Sequence, residues 1–407
     1  MAECVYTGNS SDIDRLSGQS LRALNDAIKE TILGEEGFKT MDDISAKIFP
    51  SVFAAIKNCL QKPLQKHPRY ARIDFLWTGS TSEGVNIPNM SRKADGQVEM
   101  EFEMDILCVF RDVDVGTTMD SPVVMVEQED TSKGYFLLYV NSAESRQKWG
   151  HFCTVPGLPK RKEERYLNPL LMVEDLYKQI EHIFGQIPLL KDKFTLEFNP
   201  PAVTLCLGGS DNVKVSCDVV VALELPISNL PQGFFPWIQS HGQPTWCEND
   251  TLQQLRNESL HLVGKCSPKG QARVEWRLSF NRLELGLLKE IQARFPSAIT
   301  CYRILKSIRL WHLNYPDFLH SYHLKMIFLR ACNIFPTSCW SEDNIASNIL
   351  GLLDDLFHSL ATHHLPSYFF PECNLIEGIH SDFIMTLIQK LSYVRKDPIQ
   401  HVIKLKR

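Results

Sequence analysis

The chain has 407 residues, 44% of them hydrophobic and 22% charged, which excludes a wholly disordered, collagenous or coiled-coil protein. This length predicts one large two-lobed unit or two domains. Lys and Arg number 43 against 48 Asp and Glu, and the net charge of −5 excludes a protein that coats nucleic acid indiscriminately, so any nucleic-acid contact requires a local patch.

Membrane and secretion signals are not expected. The best apolar run, 219–223, stops at Glu224 and falls short of the ~18 residues that a membrane span needs. The first residues have neither the basic nor the apolar region of a signal peptide. Twelve cysteines are scattered without a CxxC pair, which favours reduced, buried thiols over a disulfide framework or a zinc site. We expect a cytoplasmic protein, with the nucleus as the alternative, and no membrane partner.

Helical periodicity opens the chain. The apolar stripes are Leu21, Leu24, Ile28 and Ile32, then Ile44, Ile48, Val52, Ile56 and Leu60. Strand-like alternation follows, around one helix at 168–184. The predicted strands are 72–77, 98–110, 135–140, 194–198, 203–207 and 213–225. Residues 85–96 and 226–272 are rich in Pro, Gly, Asn and Ser, which predicts irregular connections.

The second half is predicted to be almost entirely helical. The expected helices are 284–294, 299–314, 320–334, 344–362 and 377–391. A mixed first half and a helical second half predict an α+β fold with two lobes. We assign N-terminal helices that bridge the lobes to 1–70, a core with a mixed β-sheet to 71–225, and a connection with a helical C-terminal lobe to 226–407. A cleft between lobes is the default place for a small-molecule site.

The most informative stretch is Val98–Ile106, where apolar and acidic residues alternate without a break. Its acids, which all point to one face of the strand, are Glu99, Glu101, Glu103 and Asp105. Four like charges in a row repel one another, so a functional interpretation competes with that of a half-buried strand with an acidic outer face. Acid-x-acid pairs arise by chance roughly 5 to 6 times at this composition, so the pair alone decides nothing.

A third acid, Asp218, lies in the apolar strand 213–225. A carboxylate in such a strand is costly unless a partner, such as a divalent cation, pairs with it. Two carboxylates at i and i+2 of one strand and one from a neighbouring strand can bracket two Mg²⁺ ions, whose preferred ligands are oxygens. The alternative interpretation is again a structural acidic face.

Gly79 and Ser80 follow the first predicted strand. Backbone amides after a strand, together with a serine hydroxyl, can cradle a triphosphate. A Gly-Ser pair alone usually indicates only a turn. It becomes a candidate phosphate-binding site here because it occurs together with the acidic residues.

Gly79-Ser80, Glu103-x-Asp105 and Asp218 together resemble the core of the nucleotidyltransferase superfamily. Four further blocks, and Trp340, resemble the cyclic GMP-AMP synthase family in the same order. These blocks are Trp276–Phe280, Cys301–Lys306, Ser321–Lys325 and Tyr368–Leu375. The resemblance runs from about 70 to about 395, and on it the chain is identified as a cyclic GMP-AMP synthase-like receptor of the male-abnormal-type nucleotidyltransferase family.

The resemblance implies a bilobal sensor enzyme that joins ATP and/or GTP into a cyclic dinucleotide, which a STING-type receptor then binds. It implies that the three acids Glu103, Asp105 and Asp218 are catalytic and hold Mg²⁺, with Mn²⁺ as an alternative. The nucleotide-binding positions that it implies are Gly79 and Ser80 for the triphosphate, Lys306 and Ser321 for donor phosphates, Tyr322 for base stacking, and Arg277 and Ser279 for base edges or phosphate.

Each of these side chains also has an ordinary structural interpretation. Lys306 has apolar helical neighbours and could extend along them towards water. Tyr322 could simply pack at a helix start. Arg277, in an alternating strand, could form an exposed ion pair.

The sequence departs from the family pattern where a zinc ribbon is expected. Residues 281–300 contain neither His nor Cys, so we expect no zinc, and double-stranded DNA becomes the less favoured activator. The segment between Ser80 and Glu103 is long, and its residues 91–96 could form an activation loop or a surface insertion.

Two basic groups could supply a nucleic-acid surface, with double-stranded RNA as the expected activator. They are Lys57, Lys62, Lys66 and Arg69, and then Lys160, Arg161 and Lys162. The alternative is a solvated charged face.

Two other functions compete with cyclic dinucleotide synthesis. One is a catalytically inactive, nucleotide-binding scaffold of the same family, which the presence of all three acids disfavours. The other is a template-independent RNA nucleotidyltransferase, against which the Ser321–Lys325 block and the helical second half argue.

Overall fold

The computed structural model describes residues 18–31, 38–92, 97–127, 132–154, 165–187, 192–208, 212–230, 244, 246–267 and 274–403. Contacts within the chain divide it into two compact units. The helical unit comprises Met1–Ala46, Phe235–Leu252 and Gly286–Arg407, and the sheet unit comprises Lys47–Phe234 and Gln253–Leu285. The predicted α+β class, with a mixed sheet and a helical C-terminal region, is confirmed. The division into 1–70, 71–225 and 226–407 stays a prediction.

Helices fill most of the C-terminal part of the chain. In chain order they are α1 (Gly18–Thr31), α2 (Phe38–Ile56), α3 (Lys62–Leu64), α4 (Gly79–Ser82), α5 (Ala143–Trp149), α6 (Pro169–Gln186), α7 (Asn249–Arg256), α8 (Asn281–Arg294), α9 (Pro296–His312), α10 (Ser321–Ile334), α11 (Ile345–Ala361), α12 (Ser381–Lys396) and α13 (Pro398–Ile403). A π-helical turn, Lys57–Gln61, joins α2 to α3.

The strands of the described residues form one mixed sheet. They are β1 (Ile73–Thr78), β2 (Asn89–Arg92), β3 (Val98–Phe110), β4 (Val115–Gly116), β5 (Val123–Val126), β6 (Tyr135–Val140), β7 (Cys153–Thr154), β8 (Tyr166–Leu167), β9 (Phe194–Asn199), β10 (Ala202–Gly208), β11 (Val213–Leu225), β12 (Leu260–Gly264) and β13 (Trp276–Ser279).

The long strands β3 and β11 pair in parallel at the centre of the sheet. The main strand order is β1-β3-β11-β12-β13-β6-β5-β4. Along its other edge β11 pairs first with β10 and then with β12. The alternation in β3 and β11 places one set of side chains in the core, and Phe102, Met104, Cys217 and Val219 are buried there. The opposite set, which contains the acids, is here called the polar face.

The helix that runs into the π-turn covers the free edge of the sheet. Phe49 and Phe53 of α2 pack on Trp77 of β1, with ring centroids 6.3 and 5.8 Å apart. Two glutamine side chains, one at the end of the π-turn and one four residues later, bond to the outer backbone groups of β1. The Phe75 amide donates to Oε1 of Gln61 over 3.0 Å, and Nε2 of Gln65 donates to the carbonyl of Ile73 over 2.9 Å. Side chains thus satisfy backbone groups that another strand would otherwise satisfy.

In the helical unit, α11 is the central helix and contacts α1, α9, α10 and α12. Two bidentate ion pairs join helices of this unit. Arg395 of α12 bonds to Asp354 of α11 over 2.8 and 3.2 Å, and both side chains are buried. Arg303 of α9 bonds to Asp42 at the start of α2 over 2.8 and 2.9 Å.

Some local predictions were wrong. Residues 226–272, expected to be irregular, contain α7 and β12, and the loop expected at 85–96 contains β2. The expectation of buried thiols is confirmed at seven cysteines, and burial is the largest cause that raises the pKa of Cys217 to about 12. No helix in the described ranges is long and apolar enough to cross a membrane.

Candidate active site

The turn from β1 into α4 brings a glycine against a carboxylate. Gly79 has a φ of +71°, a conformation that favours glycine. A methyl group on its Cα would overlap the carboxylate of Asp105. Glycine is therefore required at this position for two reasons, the backbone angle and the close approach of Asp105.

Side-chain hydrogen bonds hold the rest of this turn. Ser80 is half-buried, and its hydroxyl bonds to Oδ1 of Asn86 over 3.3 Å. Nε1 of Trp77 donates to the Thr81 hydroxyl over 2.8 Å, and the Ser82 hydroxyl donates to the Gly79 carbonyl over 2.9 Å. The predicted triphosphate position at Gly79 and Ser80 is thus an ordered turn that lies against Asp105.

The register of β3 and β11 brings the three predicted acids to one part of the polar face. Asp218 is paired with Asp105, and Ser216 is paired with Glu103. Adjacent strands lie about 4.8 Å apart, and directly paired residues project from the same face of a sheet. Glu103 is exposed, whereas Asp105 and Asp218 are half-buried.

The acids do not share the same electrostatic surroundings. At the start of β3, Glu99 forms an ion pair of 2.8 Å with Lys214, and this hydrogen bond and its charge raise the pKa of Lys214. Four residues further along β11, Asp218 instead accepts a hydrogen bond of 2.6 Å from the hydroxyl of Thr204. The described residues place no Lys or Arg within ion-pair distance of Asp218.

The fit of these acids to a divalent cation has two parts. Carboxylate oxygens are the donors that Mg²⁺ prefers, and the strand register places three carboxylates on neighbouring positions. Within the described residues, however, no group of three His, Cys, Asp or Glu side chains is gathered so that it could hold a metal. The backbone positions and the donor chemistry fit the ion, and the carboxylate groups would have to come closer together to share it.

Arg277 and Ser279 of β13 lie on the same polar face. The ladder runs from Ala222 to Val263 and from Val263 to Arg277. The charge of Arg277, followed by burial, lowers the pKa of Lys265 to about 8, so these two basic side chains lie close together. Ser279 is half-buried, and its hydroxyl is 3.4 Å from Oδ1 of Asn281.

The other nucleotide-binding candidates belong to the helical unit. Lys306 of α9 is buried, with its Nζ 5.7 Å from the ring centroid of Tyr302. The Tyr302 hydroxyl donates to the carbonyl of Ser321, at the first position of α10, over 3.4 Å. Ser321 is exposed and Tyr322 half-buried. Tyr302 thus connects Lys306 with Ser321.

Of the predicted nucleic-acid residues, two are engaged in ion pairs. Lys57 bonds to Asp74 over 3.1 Å, and Arg69 bonds to Asp175 over 3.0 Å. Lys62 and Lys66 are exposed, four residues apart. Lys160, Arg161 and Lys162 lie outside the described residues.

Sequence reasoning missed two residues of this face, Thr204 and Lys265. Thr204 carried a detectable signal, because a polar residue within the apolar strand Val203–Leu207 is the same kind of feature that singled out Asp218. Lys265 follows a strand that the sequence did not predict, so its position beside Arg277 had no signal.

Comparison with known proteins finds two domain models of Mab-21 proteins that match consecutive parts of the chain. The Mab-21 protein nucleotidyltransferase domain matches residues 112–290, a range that includes Asp218, Arg277 and Ser279 but begins after Asp105. The Mab-21 protein HhH/H2TH-like domain matches residues 297–393, which include Lys306, Ser321 and Tyr322. The mitochondrial dynamics protein MID49 of Xenopus laevis is 30% identical over 143 residues, which are 34% of this chain and 29% of that protein.

Proposed function

Because the chain belongs to the Mab-21 nucleotidyltransferase family, we propose that it is a Mg²⁺-dependent nucleotidyltransferase that joins ATP and/or GTP into a cyclic dinucleotide. The observation that carries this proposal is the parallel register that sets Asp218 beside Asp105, with Glu103 two residues away and Gly79 against the Asp105 carboxylate.

Glu103, Asp105 and Asp218 would hold Mg²⁺, with Mn²⁺ as an alternative. When bound, such ions activate a sugar hydroxyl and neutralise the charge of the leaving pyrophosphate. The half-buried Asp218, whose carboxylate accepts a hydrogen bond from the Thr204 hydroxyl, would orient the attacking sugar hydroxyl or accept its proton.

The chain's own side chains would position the nucleotides. The Ser80 hydroxyl, in an ordered turn against Asp105, would hold the triphosphate. Lys306 and Ser321 would contact donor phosphates, and Tyr322 would stack on a base. Arg277, with Lys265 beside it, and Ser279 would contact base edges or phosphate from β13.

The partners follow from the family resemblance. Double-stranded RNA would activate the enzyme in preference to double-stranded DNA, and a STING-type receptor in the cytoplasm would bind the product. Of the predicted basic residues that the structure describes, the exposed Lys62 and Lys66 are better placed to meet a phosphate backbone than Lys57 and Arg69, which already pair with carboxylates.

The test is synthesis by the full chain. Labelled ATP and GTP are incubated with Mg²⁺ or Mn²⁺ and a panel of RNA and DNA duplexes, and products are identified by mass spectrometry. Glu103→Gln combined with Asp105→Asn should abolish the product while the melting temperature stays the same. Glu101→Gln, on the same face of β3 beside Lys214, is the matched control and should retain activity.

A catalytically inactive scaffold is the second candidate function. It is favoured by the absence, among the described residues, of a gathered ligand set, and by a relative whose name refers to mitochondrial dynamics rather than to nucleotide chemistry. Thermal-shift measurements separate the two. A scaffold would be stabilised by ATP or GTP alone, whereas the enzyme should require Mg²⁺ with the nucleotide. No product with any duplex, together with metal-independent nucleotide binding, would decide for the scaffold.

A further inference from the structure

Thr204 lies beside Asp218 in the middle of the sheet unit. It belongs to β10, whose antiparallel register pairs it directly with Asp218 of β11. It is buried, and its hydroxyl donates to Oδ1 of Asp218 over 2.6 Å. A hydroxyl to carboxylate bond of this length belongs to the short, charge-assisted class.

The surroundings of Thr204 direct its hydroxyl towards Asp218. The next residues of β10 on the same face are Ala202 and Cys206, so the polar face of this strand offers one strong hydroxyl donor. A threonine is restricted at χ1, so its hydroxyl direction is set once the methyl group is packed. Its single hydrogen can serve one oxygen of Asp218, and the other oxygen stays available for a different partner.

From this geometry we infer that Thr204 is a positioning residue that fixes the carboxylate of Asp218 for cation binding. The inference rests on the proposed function of Asp218. It assigns Thr204 no contact with substrate or metal. Without the hydroxyl, Oδ1 would lose its hydrogen bond and the carboxylate could rotate. Cation binding would then have to order the carboxylate, which makes the binding free energy less favourable. Removal of such an outer partner typically weakens metal affinity about 10- to 100-fold.

The experiment measures Mn²⁺ binding by the full chain rather than turnover. Free Mn²⁺ is followed by electron paramagnetic resonance during titration, in the presence of non-hydrolysable ATP or GTP analogues. Thr204→Val keeps the shape and removes the hydroxyl, and we expect it to weaken Mn²⁺ binding at least ~10-fold. Thr204→Ser keeps the donor and should stay within about 3-fold of the wild type.

Two further variants make the result specific. Thr195→Val, on β9 opposite Cys206 and on the same face, is the matched control and should leave Mn²⁺ affinity unchanged. If Thr204 acts only through Asp218, Thr204→Val should add no loss to Asp218→Asn in a double-mutant cycle. Should the valine variant not fold, Thr204→Ala takes its place in the same titration.

The outcomes separate this inference from the function on which it rests. If the wild type binds Mn²⁺ with the analogue, Asp218→Asn weakens this binding, and Thr204→Val binds like the wild type, the role of Thr204 is overturned and the proposed site survives. If Asp218→Asn does not weaken the Mn²⁺ binding of the wild type, or the wild type binds none, the proposed metal site itself fails, and the positioning role fails with it.

Discussion

Carboxylates lie on both sides of an apolar cluster of the polar face, here called its two ends, and the two ends surround them differently. At one end, Asp74 is bonded to Lys57 over 3.1 Å and to Arg111 over 3.2 Å, and Arg111 also bonds to Glu224 over 2.9 Å. At the other end, Asp218 has a neutral hydroxyl as its hydrogen-bond donor. An apolar cluster that includes Leu107, Val220 and Ala222 lies between them.

The difference separates structural acids from candidate functional ones. Burial alone would raise the pKa of Asp74, yet the hydrogen bond and charge of Lys57, with the charge of Arg111, hold this pKa below its usual value. A carboxylate that is already neutralised by two cations has little affinity left for a third. Asp218, on the same face, has a neutral hydroxyl as its hydrogen-bond donor and is therefore the better candidate for binding a cation.

The largest expected effect is at Asp218. Asp218→Asn should lower the rate of product formation at least ~10³-fold, because an uncharged amide cannot replace a carboxylate ligand. Asp74→Asn, the counterpart at the other end, should retain the rate within about 3-fold. Mass spectrometry of the product gives both rates. Equal losses in the two variants would erase the distinction between the two ends.

Gly79 provides the next test, with Gly84 as its control. Both have a positive φ, +71° and +69°, but a methyl group on Gly84 meets nothing within 4 Å, whereas one on Gly79 meets Asp105. Gly84→Ala should cost only the backbone strain, about 1 kcal/mol of the free energy of unfolding. Gly79→Ala should cost more and also reduce product formation, on the order of 10²-fold, by displacing Asp105.

Urea unfolding measures the first effect and product formation the second. If the two alanine variants behave alike, the close approach of Gly79 to Asp105 has no functional importance.

His261 of β12 predicts a pH dependence of stability. Burial, outweighing a hydrogen bond from His261 Nδ1 to Oδ1 of Asn281, lowers the pKa of His261 to about 4. Between about pH 6.5 and 4 the unfolded chain binds a proton at this residue and the folded chain does not, so stability falls as pH falls through this window. The loss should reach up to about 3 kcal/mol at the acid end.

Urea unfolding at pH 7 and pH 5 tests this, with His261→Gln as the comparison because it removes the titrating group. The difference between the two proteins isolates the histidine from the carboxylates. An identical pH slope in both would show that His261 takes up its proton in the folded state.

The smallest effect is expected in the stability of the Asp74 network. Asp74→Asn should lower the free energy of unfolding by about 1 kcal/mol at pH 7, since the three side chains are partly exposed and salt screens them. Because the pKa of Asp74 is lowered in the folded protein, this contribution is present at neutral pH and disappears as acid protonates the carboxylate. Unfolding at low and high salt and at pH 3 and pH 7 checks both statements.

The sequence predicted strands that have one buried and one polar face, and it missed a strand that is buried on both faces. The unbroken alternation of Val98–Ile106 identified β3 and correctly separated its buried and polar sides. β12 gave no such signal, because every residue of Leu260–Gly264 is buried, so buried and exposed positions do not alternate along this strand. The Pro and Gly around it then made the whole segment look irregular.

The candidate site was predictable by residue type and not by partner. Gly79, Asp105 and Asp218 could be named from local patterns, whereas the proximity of Asp218 to Asp105 depends on the parallel pairing of strands more than 100 residues apart. The basic cluster shows a second limit of local patterns, which cannot reveal that a charged side chain is already paired. Lys57 and Arg69 looked like an exposed patch, but their acceptors Asp74 and Asp175 come from other elements, which no local pattern reveals.

The glutamine bonds to β1 have a consequence for self-association. A sheet edge with open amides and carbonyls is a template on which a second copy of the chain could add a strand. Gln61 and Gln65 occupy that template from within the same molecule. Their amides take the place of a neighbouring strand at these two positions, so a second copy of the chain could pair with β1 there only by displacing them.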